Sequence, residues 1–136
     1  MELKEKIYEL LNIEYEKQEF ELYIKNLQID GDFSINKLIH NNENRKNIAG
    51  LVIAATRKAI SKLKNKEINF TTPVKIEMSF KSELDVTNHL YVFKIIEDRL
   101  VEKGIIKNDD DTIVKEITLK KHTDGDAAVI VKIKEI

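Results

Sequence analysis

The sequence predicts an α/β protein of the α+β kind: one small domain whose mixed β-sheet is packed by helices, in the order α-β-α-β-α-β-β. Three observations carry this reading. Apolar residues recur at helical spacing in three stretches. They alternate with period two in four others. Turn-forming Gly, Pro and Asp residues fall between the stretches. A length of 136 residues bounds the chain to one domain, 1–136. That is enough chain to bury a single core, and no internal repeat, linker or second-domain boundary interrupts it.

The elements follow in order. In residues 2–17, Leu3, Ile7, Leu10 and Leu11 fall at helical spacing with charges between them, so residues 1–18 form an N-terminal helical extension. Over 19–28 the period becomes two, with Phe20, Leu22 and Ile24 against Glu21, Tyr23 and Lys25, the pattern of a half-buried strand. Asp30-Gly31-Asp32 marks a turn, and the Asn-rich stretch from Asn36 to Asn44 reads as a loop. A second helix spans about 43–64, with Asn42 or Asn44 as N-cap. Its apolar stripe is Ile48, Leu51, Val52, Ala55, Ala59 and Leu63. Pro73 opens a strand over Val74–Phe80, as proline is tolerated at a strand's first residue. A third helix begins after Asp85, with Asp85 or Thr87 as cap, and stops at Gly104, a residue suited to the left-handed C-terminal position. Two strands, about 112–121 and 127–136, close the chain. The Asp124-Gly125 pair between them is a hairpin signal.

Composition excludes several chemistries. No cysteine is present, which removes disulfides, thiolate zinc sites and thiol nucleophiles. The three histidines, His40, His89 and His122, are too dispersed to suggest a histidine metal site. No run approaches a membrane span, and no apolar signal segment opens the chain, so a cytoplasmic protein without membrane partners is expected. The glycines Gly31, Gly50, Gly104 and Gly125 are isolated, so there is no phosphate-cradling loop, and no nucleophile elbow occurs. The 23 basic residues nearly balance 24 acidic ones, for a net charge of −1, whereas nucleic-acid binders usually carry a basic excess. The charges are partly segregated. Bases gather at Arg45–Lys46, at Arg57, Lys58, Lys62, Lys64 and Lys66, and at Lys120–Lys121; acids gather at the N-terminus and at Asp109–Asp111.

The segment from Asp85 to the triple aspartate is the most informative. On the third helix Lys94 and Asp98 are four apart and therefore surface neighbours, which fits an ordinary ion pair as well as a site. Asp109, Asp110 and Asp111 repel one another, a cost lessened by solvent or by a bound cation. A hard cation such as Mg²⁺ takes one or two carboxylates plus substrate phosphates, and a solvated acidic turn gives the same pattern. Asp85 serves either as a cap or as one ligand of a metal shared with Asp110. The basic repeat on the second helix is either a solvated face or a phosphate-contacting one.

From about Phe20 onward, the order of motifs resembles the RusA-type Holliday junction resolvases, which phages and prophages often carry. The shared features are Ser34-Ile35-Asn36, then a helix, then Pro73-Val74-Lys75-Ile76 leading a strand. Lys94, Asp98 and Leu100 follow on a helix ending at Gly104, and the Asp109-Asp110 pair comes before the closing strands. The resemblance implies a small homodimeric nuclease that nicks branched DNA with Mg²⁺ or Mn²⁺. It implies Lys94, Asp85 and Asp110 as catalytic residues, and Asp85, Asp109 and Asp110 as metal ligands. It also implies a DNA surface that includes Asn36, Arg45, Arg57, Lys58 and Lys62. The family's two acids before the lysine are only partly matched. Counted back from Lys94 they fall on Asn88 and Leu90; anchored on Asp85-x-x-Asn88 they fall on Asp85 and Thr87. Three expectations follow: a junction endonuclease, a RusA-like scaffold that binds junctions or a protein without cutting, and an interaction protein with no nucleic-acid role. The N-terminal helix lies outside the resemblance and is a candidate surface for a protein partner.

Overall fold

The computed structural model describes residues 3–10, 17–64 and 67–136. It is a two-layer α+β domain. Four helices, α1 (Leu3–Leu10), α2 (Ile35–His40), α3 (Asn42–Ser61) and α4 (Leu90–Glu102), accompany four strands, β1 (Glu19–Ile24), β2 (Val74–Phe80), β3 (Val114–Lys121) and β4 (Val129–Glu135). The sheet order is β1-β4-β2-β3; β2 pairs antiparallel with β4 and parallel with β3. Among the described residues no helix is long and apolar enough to cross a membrane.

The period-two pattern decides which face is buried. Phe20, Leu22 and Ile24 of β1 sit opposite Ile133, Val131 and Val129 of β4, and these sit opposite Ile76, Met78 and Phe80 of β2. All nine are buried, and α3 and α4 cover them with Ile48, Val52, Val92, Ile96 and Leu100. The other face carries a charged ladder in which Lys134 pairs with Glu19 at 3.6 Å and Lys120 with Glu77 at 3.3 Å. Burying a nonpolar side chain of this size stabilises by about 1.5–3 kcal/mol, so the apolar register fixes the sheet.

Four expectations are corrected. The Asn36–Asn44 stretch is not a loop: Ser34 caps α2 by accepting from the Lys37 amide, and Asn41 caps α3 by accepting from the Asn44 amide. The polar residues there are helix starts rather than breaks, and the α3 cap is one residue before the earlier of the two positions expected. The 19–28 strand ends at Ile24, before Asn26 takes a positive φ of 58°. The N-terminal helix is described to Leu10; residues 11–16 lie outside the described residues, and Lys17 is not helical. The closing strands form no hairpin, because β2 lies between them. The Asp124-Gly125 turn, with Gly125 at φ 78°, instead arches over the end of β2. There His122 donates to the Phe80 carbonyl, and Lys81 donates to those of Ala128 and Gly125.

Candidate acidic site on α4

The site begins with the end of α4. Gly104, at φ 72°, reverses the chain, and the amides of Ile105 and Ile106 return to the Leu100 carbonyl. This is the left-handed helix stop for which glycine is the natural residue. The chain then forms a bridge with Phe70, whose amide donates to Ile105 at 2.7 Å and whose carbonyl accepts from Lys107 at 2.9 Å. That anchor brings Asp109 back beside the second turn of α4.

Lys94 Nζ lies 2.5 Å from Asp109 Oδ2, 3.1 Å from Glu97 Oε1 and 3.5 Å from Asp98 Oδ1. Glu97, Asp98 and Asp109 each place a carboxylate oxygen within 4.8 Å of the others, the only such trio among the described residues. The members differ in exposure: the Glu97 side chain is 5% exposed and that of Lys94 55%. Burial pushes the Glu97 carboxyl up, an effect that Lys94 partly opposes. The hydrogen bond from Lys94 holds Asp109 below its ordinary range. In turn Asp109 and then Glu97 raise the Lys94 ammonium above its own. One ammonium against three carboxylates leaves an excess of negative charge on a half-open surface.

The oxygen donors suit one hard cation. Mg²⁺–oxygen distances of about 2.1 Å set opposite ligands ~4.2 Å apart, so a 4.8 Å spread closes around an ion with a small side-chain movement. Lys94 already stands among these oxygens and must swing aside for the ion to enter. The residues present therefore fit one divalent cation in competition with a lysine.

The expected residues are distributed unevenly. Lys94 and Asp109 meet; Asp85 and Asp110 are not members of the trio. Asp110 builds its own turn: its carboxylate accepts from the Thr112 amide at 2.9 Å and hydroxyl at 2.5 Å, and these bonds lower its pKa. Asp85 is exposed and precedes a 3-10 turn, Val86–His89, without giving it a side-chain cap. Asn88 is turned inward, accepting from the Ile35 amide at 3.0 Å, which joins the Ser34-Ile35-Asn36 segment to the entry of α4. Leu90 is 49% exposed.

The residues expected to meet DNA fall in three places. Asn36 is exposed on α2, and Arg45, at the start of α3, contacts the Leu38 carbonyl and the Asn42 side chain. Arg57 sits three helical turns further on and is held by both oxygens of Glu102, at 3.1 and 2.9 Å. Lys58 and Lys62 line a small concavity with Tyr23 and Lys25, beside β1 rather than beside Lys94. A concavity of about 730 Å³ lies beyond the end of β2 between Ile29, Lys81, Ser82 and His122, and Lys94 takes no part in it.

Sequence reasoning missed Glu97. Its spacing of three from Lys94 was visible, but so was its place between Ile96 and Leu100 on the buried side, and nothing in the pattern marks a buried acid. No model of a known protein family matches this chain, and none of the curated proteins matches it significantly. The RusA-type resemblance therefore rests on the order of its own motifs.

Proposed function

We propose that this chain is a RusA-like endodeoxyribonuclease that nicks branched DNA with Mg²⁺ or Mn²⁺. One observation carries the reading: Lys94 and Asp109, fifteen residues apart and both named by the motif order, meet at 2.5 Å beside two further carboxylates. A bound ion at such a site supplies an activated water and screens phosphate charge. Glu97, Asp98 and Asp109 hold the ion, and Asp110 keeps Asp109 in place through the turn it builds. Lys94, released from Asp109, faces the developing negative charge on phosphorus. Asn36 and Arg45, on the segments joined to the entry of α4, take the DNA backbone on that side.

A second reading keeps the junction binding and omits the cut. It is favoured by Asn88 and Leu90 standing at the two acid positions counted back from Lys94, and by Lys94 filling the trio. A labelled four-way junction incubated with and without Mg²⁺ or Mn²⁺ separates the two. Nicks that vanish in Asp109→Asn, with binding retained, support the nuclease. Binding that falls steeply with salt and yields no nick in either metal supports the scaffold. No binding at low salt sinks both.

A further inference from the structure

We infer that Ser82 and His89 are a nucleophile and its general base, and that they hydrolyse small acyl esters in the concavity beyond the end of β2. Ser82 lies half-buried in the wall of that concavity, and His89 lies behind it, fully buried. The Val86 carbonyl can only accept, so His89 Nδ1 donates to it at 3.0 Å, and Nε2 accepts from the Ser82 hydroxyl at 2.6 Å. A hydroxyl, a base within hydrogen-bond reach and a third group orienting the base are the parts of an activated serine. The Leu84 amide donates to Ser82 Oγ at 3.1 Å, which fixes the hydroxyl and supports the negative charge that grows on it during attack. The imidazole ring is held by its stack on Phe80, at 4.4 Å between centroids. Burial lowers the His89 pKa, so the neutral base is the form present at neutral pH.

A volume of about 730 Å³ admits a small ester. Leu27, Ile29, Leu84 and Ala128 line it with apolar surface for an acyl chain. The amides of Ser82 and Glu83, both residues of the wall, donate to no carbonyl among the described residues and are available to an oxyanion. In the first half of the reaction Ser82 Oγ bonds to the ester carbon while its proton passes to His89 Nε2. The tetrahedral oxyanion then collapses, the bond to the alkoxide breaks, and Nε2 returns the proton to the leaving oxygen. In the second half water attacks the acyl-serine and gives its proton to Nε2. That proton returns to Ser82 Oγ as the carboxylic acid leaves.

A second serine–histidine pair supplies the comparison. Ser79 donates to His122 Nδ1 at 2.7 Å, and His122 Nε2 donates to the Ala127 carbonyl at 2.8 Å. The bonding is the same, but Ser79 is only 4% exposed and does not line the concavity. Access to the cavity, more than the hydrogen bond itself, sets Ser82 apart. Nothing in this pair depends on DNA cleavage or on the acidic trio.

The full chain in EDTA, which removes any ion from the α4 acids, is given p-nitrophenyl butyrate and, separately, a fluorophosphonate probe whose adduct is mapped by mass spectrometry. The wild type is expected to hydrolyse the ester and to carry the label on Ser82 alone, with no label when the chain is unfolded in urea. A positioned base contributes about 100-fold or more, so Ser82→Ala should lose at least about tenfold in hydrolysis above background, whereas Ser79→Ala should keep it. Circular dichroism checks the fold of each variant, and where Ser82→Ala does not fold, the adduct map of the wild type decides. A wild type that leaves Ser82 unlabelled overturns the assignment, as does label without ester turnover, or hydrolysis that survives in a folded Ser82→Ala. The Ser82–His89 bond then serves only to hold the turn.

Discussion

His89→Ala should cost about 3 kcal/mol and remove a specific acid sensitivity. The imidazole is fully buried and stacks on Phe80 with ring centroids 4.4 Å apart. The Val86 carbonyl can only accept, so Nδ1 carries the hydrogen at 3.0 Å; Nε2 is then the acceptor of the Ser82 hydroxyl at 2.6 Å. Truncation strands two half-buried polar groups, at about 1 kcal/mol each. It also forfeits a stack worth ~0.5–1.5 kcal/mol. For a chain of this size that is roughly 10 °C in Tm. Burial holds the His89 pKa below its ordinary value. Below pH ~6.5 the unfolded chain takes up a proton that the fold resists. The contribution of His89 is therefore complete above that pH and is lost as pH falls toward the folded pKa, with a slope of at most ~1.4 kcal/mol per pH unit. Urea unfolding of wild type and variant at pH 7.5, 6.5 and 5.5 measures both effects. A loss under 1 kcal/mol, or the same slope in both proteins between pH 6.5 and 5.5, would refute the argument. His89 also ends the turn that follows Asp85 and carries Asn88, so the variant reports whether that turn matters to the site.

Three further outcomes are expected. Glu97→Gln should raise stability at neutral pH, because burial penalises the ionised carboxyl while the amide still accepts from Lys94; the advantage over wild type should shrink as pH falls through the raised folded pKa and be gone below the unfolded Glu value of about 4.3. Thermal melts at pH 7 and 4 check it. Gly104→Ala should cost about 1 kcal/mol, purely from its left-handed backbone, because an added Cβ meets nothing within 4 Å; Gly104→Asn should cost less. Met78→Ala should cost ~2–5 kcal/mol, since the side chain is fully buried in the central strand, and denaturant midpoints at unchanged slope read it out.

The sheet and its helices were legible because burial writes a period into the sequence. Phe20, Leu22 and Ile24 alternate, Ile48, Val52 and Ala55 recur at helical spacing, and each pattern predicts the face found in the structure. Strand order is not written that way. Asp124-Gly125 specifies a reversal, but nothing local says whether the returning strand pairs with its predecessor or passes over a neighbour. The seven residues from His122 to Ala128 are enough to cross β2. Polar residues misled in a second manner. The Asn36–Asn44 stretch, Asn41 among it, read as loop because the same side chains that terminate helices also start them. For the site, spacing found the Lys94–Asp98 neighbours, but the approach of Asp109 depends on the Phe70 bridge to Ile106, a contact between residues 36 apart that no local pattern encodes.

The decisive property of the acidic trio is competition between Lys94 and any divalent ion, and Lys94→Met exposes it. The ammonium lies within 3.5 Å of all three carboxylates, where an entering ion must stand. At ~4 Å in water a single and a double charge repel by about 2 kcal/mol, and screening by salt at this half-exposed position reduces that to about 1 kcal/mol. Removing the ammonium should thus tighten Mn²⁺ binding roughly fivefold, measured by calorimetry or by the loss of free-ion paramagnetic signal. For a nuclease the same change should abolish nicking, so affinity and activity move in opposite directions. A scaffold that does not cut shows only the gain in affinity. If Lys94→Met and wild type bind Mn²⁺ equally weakly, and Asp109→Asn alters neither, the trio holds no ion. Lys94 is then simply the clamp that ties the Asp109 loop to α4, and the nuclease reading falls with the metal.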